Sequence, residues 1–320
     1  MRLSSVFGLV GIMSASSVVN HASKADTAST VQQSLARAAG SFVLLATVLV
    51  VVSVLAALLW PDATATKAVQ AALVSQDLWV FVLIGVGAQA VDGALGMAYG
   101  VTANSLLMGV GVPPASATAA VHLSEVFTTG FSGYSHWRLG NVNKGLFLRL
   151  LIPGIVGAVA GAYLVSLIDG NVLKPFVSAY LLIMGIYILR KAFVAQQAVP
   201  PTHKKITPLA LIGGFVDSVG GGGWGPVVTT TLLGRGHAPK ETIGSVNSAE
   251  FFLTLASATA FAALIGFGYW TAIVGLILGG LLAAPFAAWL SQHLSAKQLL
   301  VVVGLLITGL SIWNLSKALL

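Results

Sequence analysis

The sequence predicts an all-α polytopic membrane protein. It contains two inverted repeats, each a re-entrant broken-helix hairpin plus three transmembrane helices, preceded by one extra N-terminal helix. Three observations predict this fold class. The composition cannot clothe a water-soluble body, the apolar runs have bilayer length, and two glycine-rich breaks recur in register 125 residues apart.

Composition comes first. Of 320 residues 57% are hydrophobic and 8% charged, and the mean hydropathy is +0.93. A soluble domain carries roughly 25% charged residues, so lipid must cover most of this surface. The formal charge of +7 falls in short gaps between apolar runs: Arg138 and Lys144; Arg190, Lys191, Lys204 and Lys205; Arg235 and Lys240. That distribution reports topology by the positive-inside rule rather than a nucleic-acid partner. Attraction of an anionic substrate is its second use. The chain has no cysteine, which excludes disulfides, thiolate metal sites and thiol chemistry.

The elements follow in order. Residues 1–40 read as a polar, Ala/Ser/Thr-rich tail whose short apolar start also resembles a signal peptide. Residues 41–76 supply the extra helix, spanning 41–60, and its loop. The first repeat is 77–193, a basic cytoplasmic linker covers 194–205, and the second repeat is 206–320. Runs near the ~20 residues that cross a bilayer lie at 115–136, 145–167, 174–193, 241–264, 269–290 and 298–319. Trp60, Trp79, Trp137, Tyr269, Trp270 and Trp313 sit at or near their ends, as interface anchors do. The segment 77–111 is too long for one span and too short for two with a loop, and "VDGALGMAYG" interrupts it. The second repeat has "VDSVGGGGWG" at the matching place. Half-helix, break, half-helix is the natural parse.

A gapless shift of 125 residues places Asp92 on Asp217, Gly96 on Gly221, Tyr99 on Trp224, Gly100 on Gly225, Pro114 on Pro239 and Glu125 on Glu250. Twelve of the 39 positions from 91 to 129 are identical. Apolar bias does not match Asp, Pro and Glu. Charge then orients the halves. The loop after the first break is uncharged and the next is basic, whereas in the second half the order reverses. Equivalent loops therefore lie on opposite sides, with the amino terminus cytoplasmic and the carboxyl terminus outside.

Polar groups at membrane depth are functional candidates by default. Asp92 and Asp217 sit at the breaks; each either caps the following half-helix or meets substrate. Glu125 and Glu250 follow within spans, each with a polar residue three positions earlier, His122 and Asn247, on the same helix face. The two Glu either stabilise the broken helices or carry protons; His122 is either a packed histidine or a partner in that exchange. The half-helix N-termini aim free N–H groups at the membrane interior, and glycine lets a ligand approach them. The candidate substrate-binding set is Asp92, Gly93, Gly96, Tyr99, Gly100, Thr102, His122, Asp217, Gly221, Gly222, Gly223, Trp224, Gly225 and Asn247. Glu125, Glu250 and His122 are the candidate proton-coupling set. Two dipole ends aimed at one point favour an anion. Four carboxylates keep a divalent-cation transporter as the alternative. No HExxH-type motif suggests an enzyme, and no cofactor is called for.

At these residues the chain resembles the sulfite exporter TauE/SafE family. The resemblance covers about 78–314 and is carried by "YGVTANSLLMGVGVPPASATAAVHLSEVFTTGFSGYSHWRLGNV" (99–142) and "GGGGWGPVVTTTLLGRGHAPKETIGSVNSAEF" (220–251). The glycine run is complete at 220–223 and sparser in the first half. The resemblance implies a secondary transporter exporting sulfite or an organosulfonate across a bacterial inner membrane. Its partners would be that small anion, the lipid bilayer and, as an open option, a second copy of the chain; none is a nucleic acid.

Overall fold

Two five-element units follow one another along the chain with their boundaries in register. The computed structural model describes residues 64–194, 205–266, 268–293 and 295–319. The expected tail, the helix at 41–60 and most of the basic linker lie outside the described residues. A short helix, α1 (Thr64–Leu73), occupies part of the expected loop. The first unit comprises α2 (Leu78–Leu95), α3 (Tyr99–Gly109), α4 (Pro114–Arg138), α5 (Lys144–Leu167) and α6 (Gly170–Lys191). The second comprises α7 (Ile206–Gly220), a wide π-helical turn (Trp224–Thr229) running into α8 (Thr230–Gly234), α9 (Pro239–Leu264), α10 (Trp270–His293) and α11 (Ala296–Leu319). Adding 125 to each boundary of the first unit lands within three residues of its counterpart. The described elements are all helical.

Local chemistry explains the punctuation. α2 and α7 end on Gly96 and Gly221, both at φ 68°, a left-handed cap that glycine adopts without Cβ strain. α4 and α9 begin with Pro114 and Pro239; proline's fixed φ and missing N–H suit a first helical position. Pro226, with no donor of its own, sits in the wide turn that opens the second half-helix. A helix lies at each of the six expected runs, with starts shifted by up to four residues and ends by up to three. One arm departs from expectation: α2 has 18 residues, about 27 Å at ~1.5 Å per residue. Its first arm is thus long enough to cross on its own, whereas α7 has 15.

Among the described helices, α2, α5, α6 and α11 are long and apolar enough to cross a membrane. Their outward faces expose Leu83, Leu148, Ile152, Tyr163, Phe176, Ile183, Val302 and Trp313, a surface lipid tolerates and water does not. α4 and α9 are equally long but more polar, and each packs against the other units' helices.

Packing is symmetric under exchange of the two units. α2 lies against α10 as α7 lies against α5; α4 pairs with α9, and α6 with α11. Glycine-lined contacts give the directions. Thr129, Gly130 and Gly133 of α4 meet Thr254, Phe251 and Ser248 of α9 in turn, so this equivalent pair is antiparallel. Gly185 meets Thr308 and Gly304 meets Leu189, so α6 and α11 are antiparallel too. By contrast Gly275 meets Phe81 and Gly279 meets Val86, so α2 and α10 run the same way. In lipid, close approach of small residues is the chief attraction between helices.

Candidate functional site

The two breaks cross each other in backbone contact. A Cβ on Gly100 would lie 2.5 Å from the Gly221 carbonyl oxygen and 2.7 Å from the Gly222 Cα. Side chains lock the crossing. The Asn104 amide donates to the Gly220 carbonyl at 2.5 Å, and the Tyr180 hydroxyl donates to the Gly222 carbonyl at 2.6 Å. Asn314 donates to the Ser105 carbonyl at 3.3 Å. The wide approach of two main chains is possible only because residues 100 and 222 carry no side chain.

At this crossing lies a cavity of about 360 Å³. All four predicted carboxylates line it: Asp92, Glu125, Asp217 and Glu250. So do Gly93, Gly96, Tyr99, Gly100, Gly222, Gly223, Gly225 and Asn247. Thr102, His122, Gly221 and Trp224 do not. Trp224 is fully buried and donates its indole N–H to the Val246 carbonyl at 3.1 Å. Thr102 is buried in α3 with its hydroxyl oxygen unpartnered, and Gly221 supplies the cap of α7.

The carboxylates divide into two kinds. Asp217 is committed to structure: Oδ1 accepts from the Trp224 backbone N–H at 2.9 Å, and Oδ2 meets His122 Nε2 at 3.2 Å. It thus caps the second half-helix. The matching amide in the first half, the Tyr99 backbone N–H, interacts with Asp92. His122 Nδ1 lies 2.8 Å from the Thr118 carbonyl oxygen. That oxygen only accepts, so the Nδ1 N–H donates to it, and Nε2 faces the Asp217 carboxylate. Glu125 is different. It is 3% exposed, and its Oε2 has no hydrogen-bond partner; Oε1 points toward Gly100. Glu250 is partly exposed in the same cavity.

Backbone donors complete the arrangement. Among the described residues, the N–H groups of Gly100, Val101 and Gly225 make no backbone hydrogen bond, and all three residues line the cavity. These are first-turn amides of two half-helices, carrying the positive ends of their dipoles. Among the described residues no group of three or more His, Asp or Glu could hold a metal ion.

Residue pairing across the repeat missed part of the lining. Gln89, whose Oε1 is buried without a partner, corresponds to Gly214 and so has no matched polar mate. Thr128, Thr129, Ser132 and His136 line the cavity as well. With Glu125 they form a stripe at spacings of three and four along α4, and that helical period was the signal available in the sequence.

Lipid-facing helices enclosing a polar cavity at a crossing of broken helices define a membrane transporter. The chain belongs to the sulfite exporter TauE/SafE family, whose description matches residues 81–313. It is 44% identical over 240 residues, 72% of this chain and 79% of the relative, to the probable membrane transporter protein YtnM of Bacillus subtilis (strain 168). It is 28% identical over 178 residues, 53% of this chain and 65% of the relative, to the probable membrane transporter protein ORF9 of Sinorhizobium sp.. No solved structure matches.

Proposed function

We propose that the protein exports a small sulfur-containing oxyanion, sulfite or an organosulfonate, bound where the two half-helix N-termini meet. The observation that carries this reading is that Gly100, Val101 and Gly225, whose N–H groups make no backbone hydrogen bond, all line one cavity. They offer an anion fixed donors at no desolvation cost of a buried cation. The family description supports the sulfur chemistry.

Export is coupled to protons through Glu125 and Glu250. An anion beside an ionised carboxylate is repelled, so anion binding at the tips and proton binding at Glu125 reinforce each other. The unpartnered Oε2 of Glu125 leaves it free for that exchange. His122, outside the cavity wall, meets the cavity-lining Asp217 at 3.2 Å.

The two units are inverted repeats with re-entrant breaks. The antiparallel pairing of equivalent helices α4 and α9 supports this, because a twofold axis relating them runs across the helices, not along them. The basic loops after α4 and before α9 sit at one end of the molecule: Asn143 donates its amide to Glu241 at 3.1 Å and its backbone N–H to Ser245 at 2.9 Å. By charge this end is cytoplasmic, in the bacterial inner membrane, and the carboxyl terminus is outside. A divalent cation is the competing cargo: four carboxylates line one cavity, though among the described residues they do not gather into a group that could hold a metal ion.

A thermal-shift screen of purified protein against sulfite, sulfate, thiosulfate, small sulfonates, chloride and divalent cations separates the two. Stabilisation by a sulfur anion, lost in Glu125→Ala, supports the proposal. Stabilisation by a divalent cation with no anion effect promotes the competing cargo.

A further inference from the structure

The cavity occupies only one half of a symmetric molecule. From the breaks it runs along Glu125 to His136 on α4 and back along Glu250 to Ile243 on α9, toward the end that carries the basic loops. The pairs at the crossing itself, such as Glu125 and Glu250, share the cavity, but beyond them the 125-residue relation gives the lining residues of α4 and α9 mates on the other side of the crossing, and those mates are shut. Thr129 and Ser132 correspond to Thr254 and Ser257, both 0% exposed. His136, partly exposed in the cavity wall, corresponds to Phe261, fully buried against the His122 ring at a centroid distance of 5.9 Å. Asn247 corresponds to His122, also 0% exposed.

The closure has a chemical basis in one substitution between the repeats. Gly93, exposed at the cavity, corresponds to Ser218. The Ser218 hydroxyl lies 2.7 Å from that of Ser257, and its carbonyl accepts from Thr118 at 3.2 Å. On the open side Gly93 has no side chain with which to reach Ser132. On the closed side Ser218 and Ser257 are bonded to each other, whereas on the open side Ser132 instead accepts from the Asn247 amide at 2.9 Å.

We infer that the layer formed by Thr118, His122, Ser218, Thr254, Ser257 and Phe261 is the second half of the substrate path, closed in this state. It opens away from the basic loops when the cavity on their side closes. The inference rests on the crossing being the substrate site, as proposed above. A sealed, apolar core would explain Phe261 alone. It does not explain hydroxyls and a histidine at the mates of cavity-lining residues, joined by hydrogen bonds such as Ser218 to Ser257. Inverted units exchanging conformations convert one open half into the other with no change in the pair of breaks between them.

The test needs no known substrate. The chain has no cysteine, so a single introduced thiol reports its own accessibility to a membrane-impermeant maleimide. Ser132→Cys reports the open half and Ser257→Cys the closed half, with Thr254→Cys as a second reporter of the latter. Each is labelled in sealed vesicles of both orientations, alone and combined with His136→Phe, which makes the open side resemble the closed one. The inference predicts that Ser132→Cys reacts from the basic-loop face and that Ser257→Cys reacts, slowly, from the opposite face. His136→Phe shifts the population, lowering the first rate and raising the second roughly tenfold; Phe261→His, which makes the closed side resemble the open one, raises the second rate as well. Reporters at 254 and 257 that stay unlabelled in every background, or react from the same face as 132, overturn it. The result is independent of cargo. Opposed labelling without flux of any sulfur anion contradicts only the proposed substrate, and sulfite flux with silent reporters contradicts only the second half-path.

Discussion

Asp217 and Asp92 occupy the same place in their repeats but carry different loads. Asp217 is buried, caps the Trp224 amide and holds His122; Asp92 is partly exposed and interacts with the Tyr99 amide at the cavity wall. Removing one partner of a buried, hydrogen-bonded pair costs more than removing a cap alone. Asp217→Ala is expected to cost about 2–4 kcal/mol and Asp92→Ala about 1 kcal/mol. Thermal unfolding in detergent checks the order; equal losses would contradict the division of roles. Glu125→Gln keeps the shape of the side chain and removes its titration. It is expected to leave folding unchanged while flattening the pH dependence of transport, measured as initial rate against pH. The sequence disclosed the matched acids because Asp, Pro and Glu recur at a fixed offset. It did not disclose that Trp224 belongs to the core, since an aromatic opposite Tyr99 looks the same whether its ring faces a ligand or, as here, Gly154 and Gly213.

The crossing of the two breaks is a property of elements and not of any side chain. Its narrowest point admits no Cβ at Gly100, because the atoms it would meet are backbone and cannot swing aside. Gly100→Ala is expected to destabilise by about 1–3 kcal/mol through overpacking and to abolish anion binding. Gly87→Ala is the matched control: nothing lies within 4 Å of a Cβ there, so within α2 the change is neutral or stabilising by up to about 1 kcal/mol. Comparing melting temperatures and anion-induced shifts of the two variants tests the crossing. The helices themselves were legible from apolar run length, and their ends from Pro114, Pro239, Gly96 and Gly221. The length of α2 was not legible, since the glycines mark where it stops but the apolar run says nothing of how far it lies from the midplane. The polar stripe from Glu125 to His136 was readable at helical period, and Thr129 and Ser132 recur as Thr254 and Ser257, but pairing alone passes over Thr128 and His136, whose places are taken by Leu253 and Phe261 in the second repeat.

For the whole molecule, the arrangement of pairs matters more than any one of them. Exchange-symmetric packing, with equivalent helices antiparallel, places both basic loops at one end. Single thiols at Asn143 and Lys240 are therefore expected to label from one face of the membrane and a thiol at Ser316 from the other. Labelling of all three from one face would contradict inverted repeats. The repeat and its charge reversal were visible in the sequence before any coordinates. What the sequence withheld was the state, open on one side and closed on the other, because state is set by contacts such as Ser218 to Ser257 that join residues far apart in the chain.

The most direct measurement is sulfite flux in proteoliposomes under an imposed pH gradient, with wild type and Gly100→Ala side by side. Saturable, pH-dependent sulfite movement in wild type, absent in Gly100→Ala, is the predicted result. No flux of sulfite or a sulfonate alongside gradient-driven movement of a divalent cation would contradict an anion held between the two helix ends.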